Sequence, residues 1–200
     1  CIDGINRELK AGAEQLHRAS WLLVTFGTAY VYSLRETGKV VANCHKLPAS
    51  LFDRRRVGVD EMIRGWIPLI ERLSDSNPEL RIMFTVSPIR HLRDGAHENQ
   101  LSKSVLLLFV DELCRMYPDR CIYFPSYEIV MDELRDYRFY DAGMTHPNEQ
   151  AIRYIWERFS EACFSEETQT LNREWERLEK ALNHRPLTPD KDAFRDFTMQ

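Results

Sequence analysis

The chain has no C-x-x-C pair, no internal repeat, no low-complexity segment and no apolar run near the ~20 residues that a membrane helix needs. Nothing at its start reads as a signal peptide, so a membrane is not an expected partner. Cysteine is sparse and odd in number: Cys1, Cys44, Cys114, Cys121 and Cys163. That count argues against a disulfide frame and for free thiols in a reducing, cytoplasmic compartment. Cys114 and Cys163 fall among apolar helical positions and read as inert core residues. Dense positive charge is also lacking. The net charge is −4, and the only basic run, Arg54-Arg55-Arg56, is flanked by Asp53 and Asp60. It reads as a solvated face, and nucleic acid is not an expected partner. With 44% apolar and 29% charged residues in 200, the chain can bury one real core.

What is present alternates between two periods. Ile5, Leu9, Ala13 and Leu16 predict an amphipathic helix over about 4–19. The run Trp21 to Phe26, closed by Gly27, predicts a buried parallel strand. Val31 to Leu34 and Val40 to Ala42 flank a turn at Gly38 and suggest a hairpin. Asp60 reads as the N-cap of a helix with Ile63, Trp66, Ile67, Ile70 and Leu73 on one face. Pro68 should kink or end that helix. Strands follow at 81–86 and 121–124, around a helix over about 99–116 with Leu101, Val105, Leu108, Phe109 and Leu113 at core spacing. Residues 126–140 have mixed periodicity. Pro147 suits the first position of a helix carrying Ile152, Ile155, Trp156 and Phe159. A last helix, about 166–183, sets Leu171, Trp175, Leu178 and Leu182 at core spacing, and the tail from His184 holds Pro186 and Pro189. Strands alternating with helices predict a parallel α/β sheet.

The organising stretch is Arg81 to Lys103. A strand ends at Pro88, a polar loop carries Ser87, Arg90, His91, Arg93, Asp94, His97, Glu98 and Asn99, and a helix follows. In open α/β sheets ligands bind outside the carboxyl ends of strands, where this loop must lie.

TFGTAYVY (25–32), VANCHK (41–46), TVSPIRH (85–91), NQLSKS (99–104), YFPSYEI (123–129), LRDYRFY (134–140) and THPN (145–148) together resemble the GSCFA family over about residues 5–165. That family is related to the SGNH hydrolases. The resemblance implies a flavodoxin-like three-layer α/β/α sandwich over residues 1–165, with a helix and tail over 166–200. It implies hydrolysis or acyl transfer on a small-molecule or carbohydrate-ester substrate, without cofactor or metal. The Gly-Ser-Cys-Phe-Ala string that would carry the serine nucleophile does not occur in these residues. The expectation is therefore a domain incomplete at its N-terminus, inactive in isolation, with the nucleophile upstream. SGNH enzymes place Asp three residues before the base histidine; here that position is Gly143, and Asp141 stands five before His146.

His146 is the candidate base, since an imidazole can shuttle a proton near neutral pH. Either Asp141 orients it through a re-formed loop, or the acid is lost. Gly27 and Thr28 are candidate oxyanion donors, or a simple strand stop. Asn43 is a further donor to the same anion, or the cap of a turn. His45, Arg90, His91 and Glu128 complete the candidate substrate-binding set. Two alternatives stay open: a non-catalytic binding module on a hydrolase scaffold, and a metal-dependent hydrolase using His45, His91 and His146. The spacing of these histidines matches no H-x-x-x-H pattern.

Overall fold

The computed structural model describes residues 2–182. Cys1 and the proline-bearing tail from His184 lie outside the described residues. The chain divides into two compact units, Cys1–Ile152 and Arg153–Gln200, and each is taken by itself.

In the first unit, α1 (Ile2–Leu16) leads into β1 (Trp21–Phe26). The hairpin β2 (Tyr30–Leu34) and β3 (Val40–Val41) follows, then β4 (Phe52–Arg56), α2 (Val59–Ser76) and β5 (Arg81–Val86). The unit continues with α3 (Ala96–Met116), β6 (Cys121–Tyr123) and α4 (Ser126–Glu128), which runs on into a π-helical turn over Ile129–Leu134. The parallel sheet has the order β1-β5-β6, with Trp21 opposite Arg81 and Phe26 opposite Val86. Helices flank it, giving the layered α/β/α arrangement expected. A second, antiparallel sheet has the order β3-β2-β4. Among the described residues no helix is long and apolar enough to cross a membrane.

The core lies on one face of the parallel sheet. Val24, Phe26, Ile82, Phe84 and Val86 meet Trp66 and Ile70 of α2 and Leu106, Phe109, Val110 and Leu113 of α3. Phe26 stacks on Phe84 at 5.8 Å and meets Trp66 and Phe109 edge-on at 5.2 and 5.3 Å. Apolar side chains of this size bring the largest share of burial energy.

Several expectations need correction. β1 is parallel but not buried: it is the edge of its sheet, and Trp21 and Leu23 are 40% and 55% exposed on the face away from the core. The stripe of α3 that faces inward is Asn99, Ser102, Lys103, Leu106, Phe109, Val110 and Leu113, while Leu108 is exposed. The basic run is solvated as expected, with Arg55 and Arg56 exposed, but it forms the strand β4, and each arginine meets a carboxylate: Arg54–Asp94, Arg55–Glu61 and Arg56–Glu98. α2 starts after Gly58 rather than at Asp60 and runs through Pro68 unbroken. Pro147 precedes α5 (Glu149–Cys163) without entering it; Asn148 caps that helix by accepting the Ala151 N–H at 3.1 Å. This is the ordinary role of an Asn N-cap.

In the second unit, α6 (Glu166–Leu182) exposes Leu171, Trp175, Leu178 and Leu182, so these do not form a core. Cys163 is exposed, and in the first unit Cys114 is half-buried, so neither is the fully buried thiol expected. The apolar contacts here are aromatic: Trp156 stacks on Phe159 at 5.8 Å and meets Phe164 at 5.8 Å.

An unpaired edge with exposed apolar side chains is a template for self-association. Leu23→Lys should therefore shift this chain toward monomer, read by size-exclusion chromatography with light scattering. A monodisperse unsubstituted chain would remove the argument.

Candidate active site

The carboxyl ends of β1 and β5 bring three loops together. The loop after β5 turns at Pro88, and the Arg90 N–H donates to Thr145 O at 3.0 Å, tying it to the loop that carries His146. His91 lies against Gly27. A β-carbon at position 27 would sit 3.4 Å from His91 Nε2, an ordinary contact distance, so the ring and the Gly27 backbone are close neighbours. Burial pushes the His91 pKa below its ordinary value, with the nearby charges of Lys103, Arg54 and His146 adding to the effect. The shift favours the neutral imidazole over the charged form.

The His146 loop is built around the missing acid. Asp141 N–H donates to His146 O at 2.8 Å and Met144 N–H to Asp141 O at 3.0 Å, closing a tight turn with Met144 at φ 58°. Tyr140 and Pro147 pair as an isolated antiparallel bridge at its base. A β-carbon at Gly143 would meet Asp141 Oδ1 at 3.3 Å and Thr145 Oγ1 at 3.6 Å. The Asp141 carboxylate thus fills the space beside position 143, and Asp141 Oδ2 stands 3.8 Å from His146 Nδ1. Thr145 Oγ1 is 3.0 Å from the same nitrogen. Both contacts engage Nδ1 and leave Nε2 as the nitrogen available for proton transfer.

The remaining candidates separate. Arg90 lies over the ring of Tyr140 at 4.3 Å and that of Tyr137 at 5.0 Å, beside the base loop. Glu128 accepts from Tyr123 OH at 2.7 Å, a bond that raises the Tyr123 pKa after burial has done so. Asn43 and His45 sit in the loop after β3, and the Asn43 side chain accepts the His45 N–H at 2.8 Å, closing an Asx turn. Asn43 lines a groove of about 400 Å³ with Tyr32, Cys44, Phe52 and Arg93. His45, His91 and His146 do not converge: among the described residues no group of three His, Cys, Asp or Glu side chains could hold a metal ion.

What sequence reading missed is the polar stripe at the start of α3. Asn99 Oδ1 accepts the His91 N–H at 2.8 Å. Ser102 Oγ accepts the Ala29 N–H at 2.8 Å and lies 3.1 Å from Thr28 Oγ1. Lys103 Nζ donates to Gly27 O and to Ser87 O, both at 2.6 Å. Spaced i, i+3, i+4, these three share one face with Leu106 and Phe109. The available signal was polar residues in NQLSKS at positions in phase with the core. Burial lowers the Lys103 pKa to about 8. Between that value and an unfolded lysine near 10.5 the unfolded chain binds more protons, so stability should rise as pH climbs through this window. Urea midpoints between pH 7.5 and 10.5 check this; a Lys103→Met variant that keeps the same rise would assign it elsewhere.

A comparison with protein-family models matches the GSCFA family over residues 1–159. No curated protein and no solved structure matches the chain. The family match spans the parallel sheet, the loops at its carboxyl edge and the His146 turn, and the chain belongs to the GSCFA family.

Proposed function

We propose that this chain supplies the base and the oxyanion side of an SGNH-type ester hydrolase or acyl transferase. The observation that carries the reading is the Asp141–His146 pair, with Nδ1 turned to the carboxylate at 3.8 Å, tied to the loop that holds His91 against Gly27. The nucleophile in this reading is a serine of the family motif, outside these 200 residues. His146 Nε2 takes the serine proton as the hydroxyl oxygen bonds to the ester carbonyl carbon. The carbonyl oxygen becomes an oxyanion, which in this reading the Thr28 N–H, just past the end of β1, receives. As the tetrahedral intermediate collapses, the ester C–O bond breaks and His146 returns the proton to the leaving alkoxide. Water, or an acceptor hydroxyl in acyl transfer, then releases the acyl group by the same steps. Asp141 orients the imidazole and stabilises its charged form.

The substrate class is an ester of a small molecule or carbohydrate, and no cofactor enters these steps. The alternative of a binding module keeps one observation in its favour: the His146 and Asp141 side chains are 60% and 45% exposed and 3.8 Å apart, looser than a hydrogen bond. Turnover of a short-chain acyl ester by the full-length protein separates the two. Saturable ester binding without product would leave the binding module.

A further inference from the structure

Lys103 is 1% exposed, and among the described residues no carboxylate pairs with it. A buried ammonium without a counter-ion is costly, and an apolar residue at this core-facing position of α3 would avoid the cost. Its hydrogen bonds show what it does instead.

The β1–β5 ladder begins with the Arg81 N–H on Ser20 O and is still running at the Ser87 N–H on Phe26 O. One further step of the same parallel alternation would place the Thr28 N–H on Ser87 O. Lys103 Nζ takes Ser87 O instead, together with Gly27 O. The peptide between Gly27 and Thr28 is trans, so its N–H points away from the carbonyl that the ammonium holds. Among the described residues the Thr28 N–H has no acceptor, although its own hydroxyl and the next N–H are both bound through Ser102. A backbone donor left free beside a ring of satisfied neighbours is what an anion site requires.

We propose that Lys103 is a positioning residue that ends the sheet ladder early and fixes the Gly27–Thr28 peptide, so that the Thr28 N–H is held free and polarised for an anionic group. This rests on the hydrolase reading for the identity of that group, the oxyanion of an ester. Hydrogen bonding of a cation to one end of a peptide strengthens the donor at its other end. The groups facing Lys103 are the two strand-end carbonyls, the non-titrating Asn99 and Ser102 of its own helix, and His91 of the loop after β5, whose own titration lies below its ordinary range.

The test follows the Thr28 amide by nuclear magnetic resonance across pH 5–10. It should move with a midpoint near 8, in step with the side-chain carbon next to the Lys103 nitrogen, and separately from His91. In Lys103→Met the alkaline movement should vanish. A Thr28 amide that ignores the Lys103 titration, or that keeps its midpoint in Lys103→Met, overturns the proposal; the wild-type comparison alone decides it if that variant does not fold. In the full-length protein, Lys103→Met should lower kcat for a short-chain ester while leaving KM, by less than the roughly 10²–10³-fold of losing an oxyanion donor outright. Coupled titration in a protein without ester turnover would sink the hydrolase reading and support the positioning role. Turnover without the coupling would do the reverse.

Discussion

His146→Ala in the full-length protein is expected to cut ester turnover by roughly 10²–10⁴-fold, the usual worth of a positioned general base. On the hydrolase reading the loss should fall on kcat, because there the imidazole moves a proton in the transition state rather than holding the substrate beforehand. Asp141→Asn should cost less. Its carboxylate stands 3.8 Å from Nδ1, and Thr145 Oγ1 at 3.0 Å remains to hold the ring. Steady-state kinetics on any ester the protein turns over give both numbers. Full activity in His146→Ala removes the base assignment and puts the binding-module reading ahead. A larger loss in Asp141→Asn than in His146→Ala would mean that the carboxylate has a direct role the geometry does not assign.

Phe84→Ala should destabilise the fold by about 3–5 kcal/mol, the range for truncating a fully buried aromatic. Phe84 is 0% exposed, stacked against Phe26 at 5.8 Å and met edge-on by Trp66 at 5.5 Å. Its neighbours come from β1 and α2 as well as its own strand, so the cavity cannot close by moving one side chain. For a chain of this length that corresponds to a fall in Tm of roughly 10 °C. Urea denaturation at pH 7 measures it. A cost under about 1 kcal/mol would show that the layer between β5 and α2 collapses freely, contrary to close packing.

The two effects differ in how far they could be read from the chain. The apolar runs at 21–26, 81–86 and 121–124 are strong local signals, and these strands form in the parallel order expected, the last of them one residue shorter at Cys121–Tyr123. Strand type depends on side chains a residue or two apart. Burial does not: it depends on what lies across the face. Trp21 and Leu23 are as apolar as Phe84, yet they are exposed because β1 is the sheet edge in this structure. For the same reason α6 has helical spacing without a buried face.

His146 was nameable because THPN resembles the family's motif, which is contiguous in the chain; its local context alone fits a capping histidine equally well. Whether Asp141 could reach it was not legible. Counting residues from the histidine lands on Gly143, and only the turn through Met144 puts the Asp141 carboxylate beside that position. The Asn43 side-chain oxygen is taken by the His45 N–H in an Asx turn, a local competition that sequence distance does not resolve. Lys103 was hidden by composition, because lysine is expected at the surface and its phase on α3 became visible only once Leu106 and Phe109 defined the inward face. By itself, then, the sequence determined the three parallel strands, the main helices, their order and the family, because those rest on short-range periodicity and contiguous motifs; β4, a run of charged residues, carried no such signal. The tertiary structure alone decided which carboxylate meets the imidazole, which strand is an edge and which backbone donor is left free. Those outcomes depend on groups far apart in the chain competing for the same few ångströms.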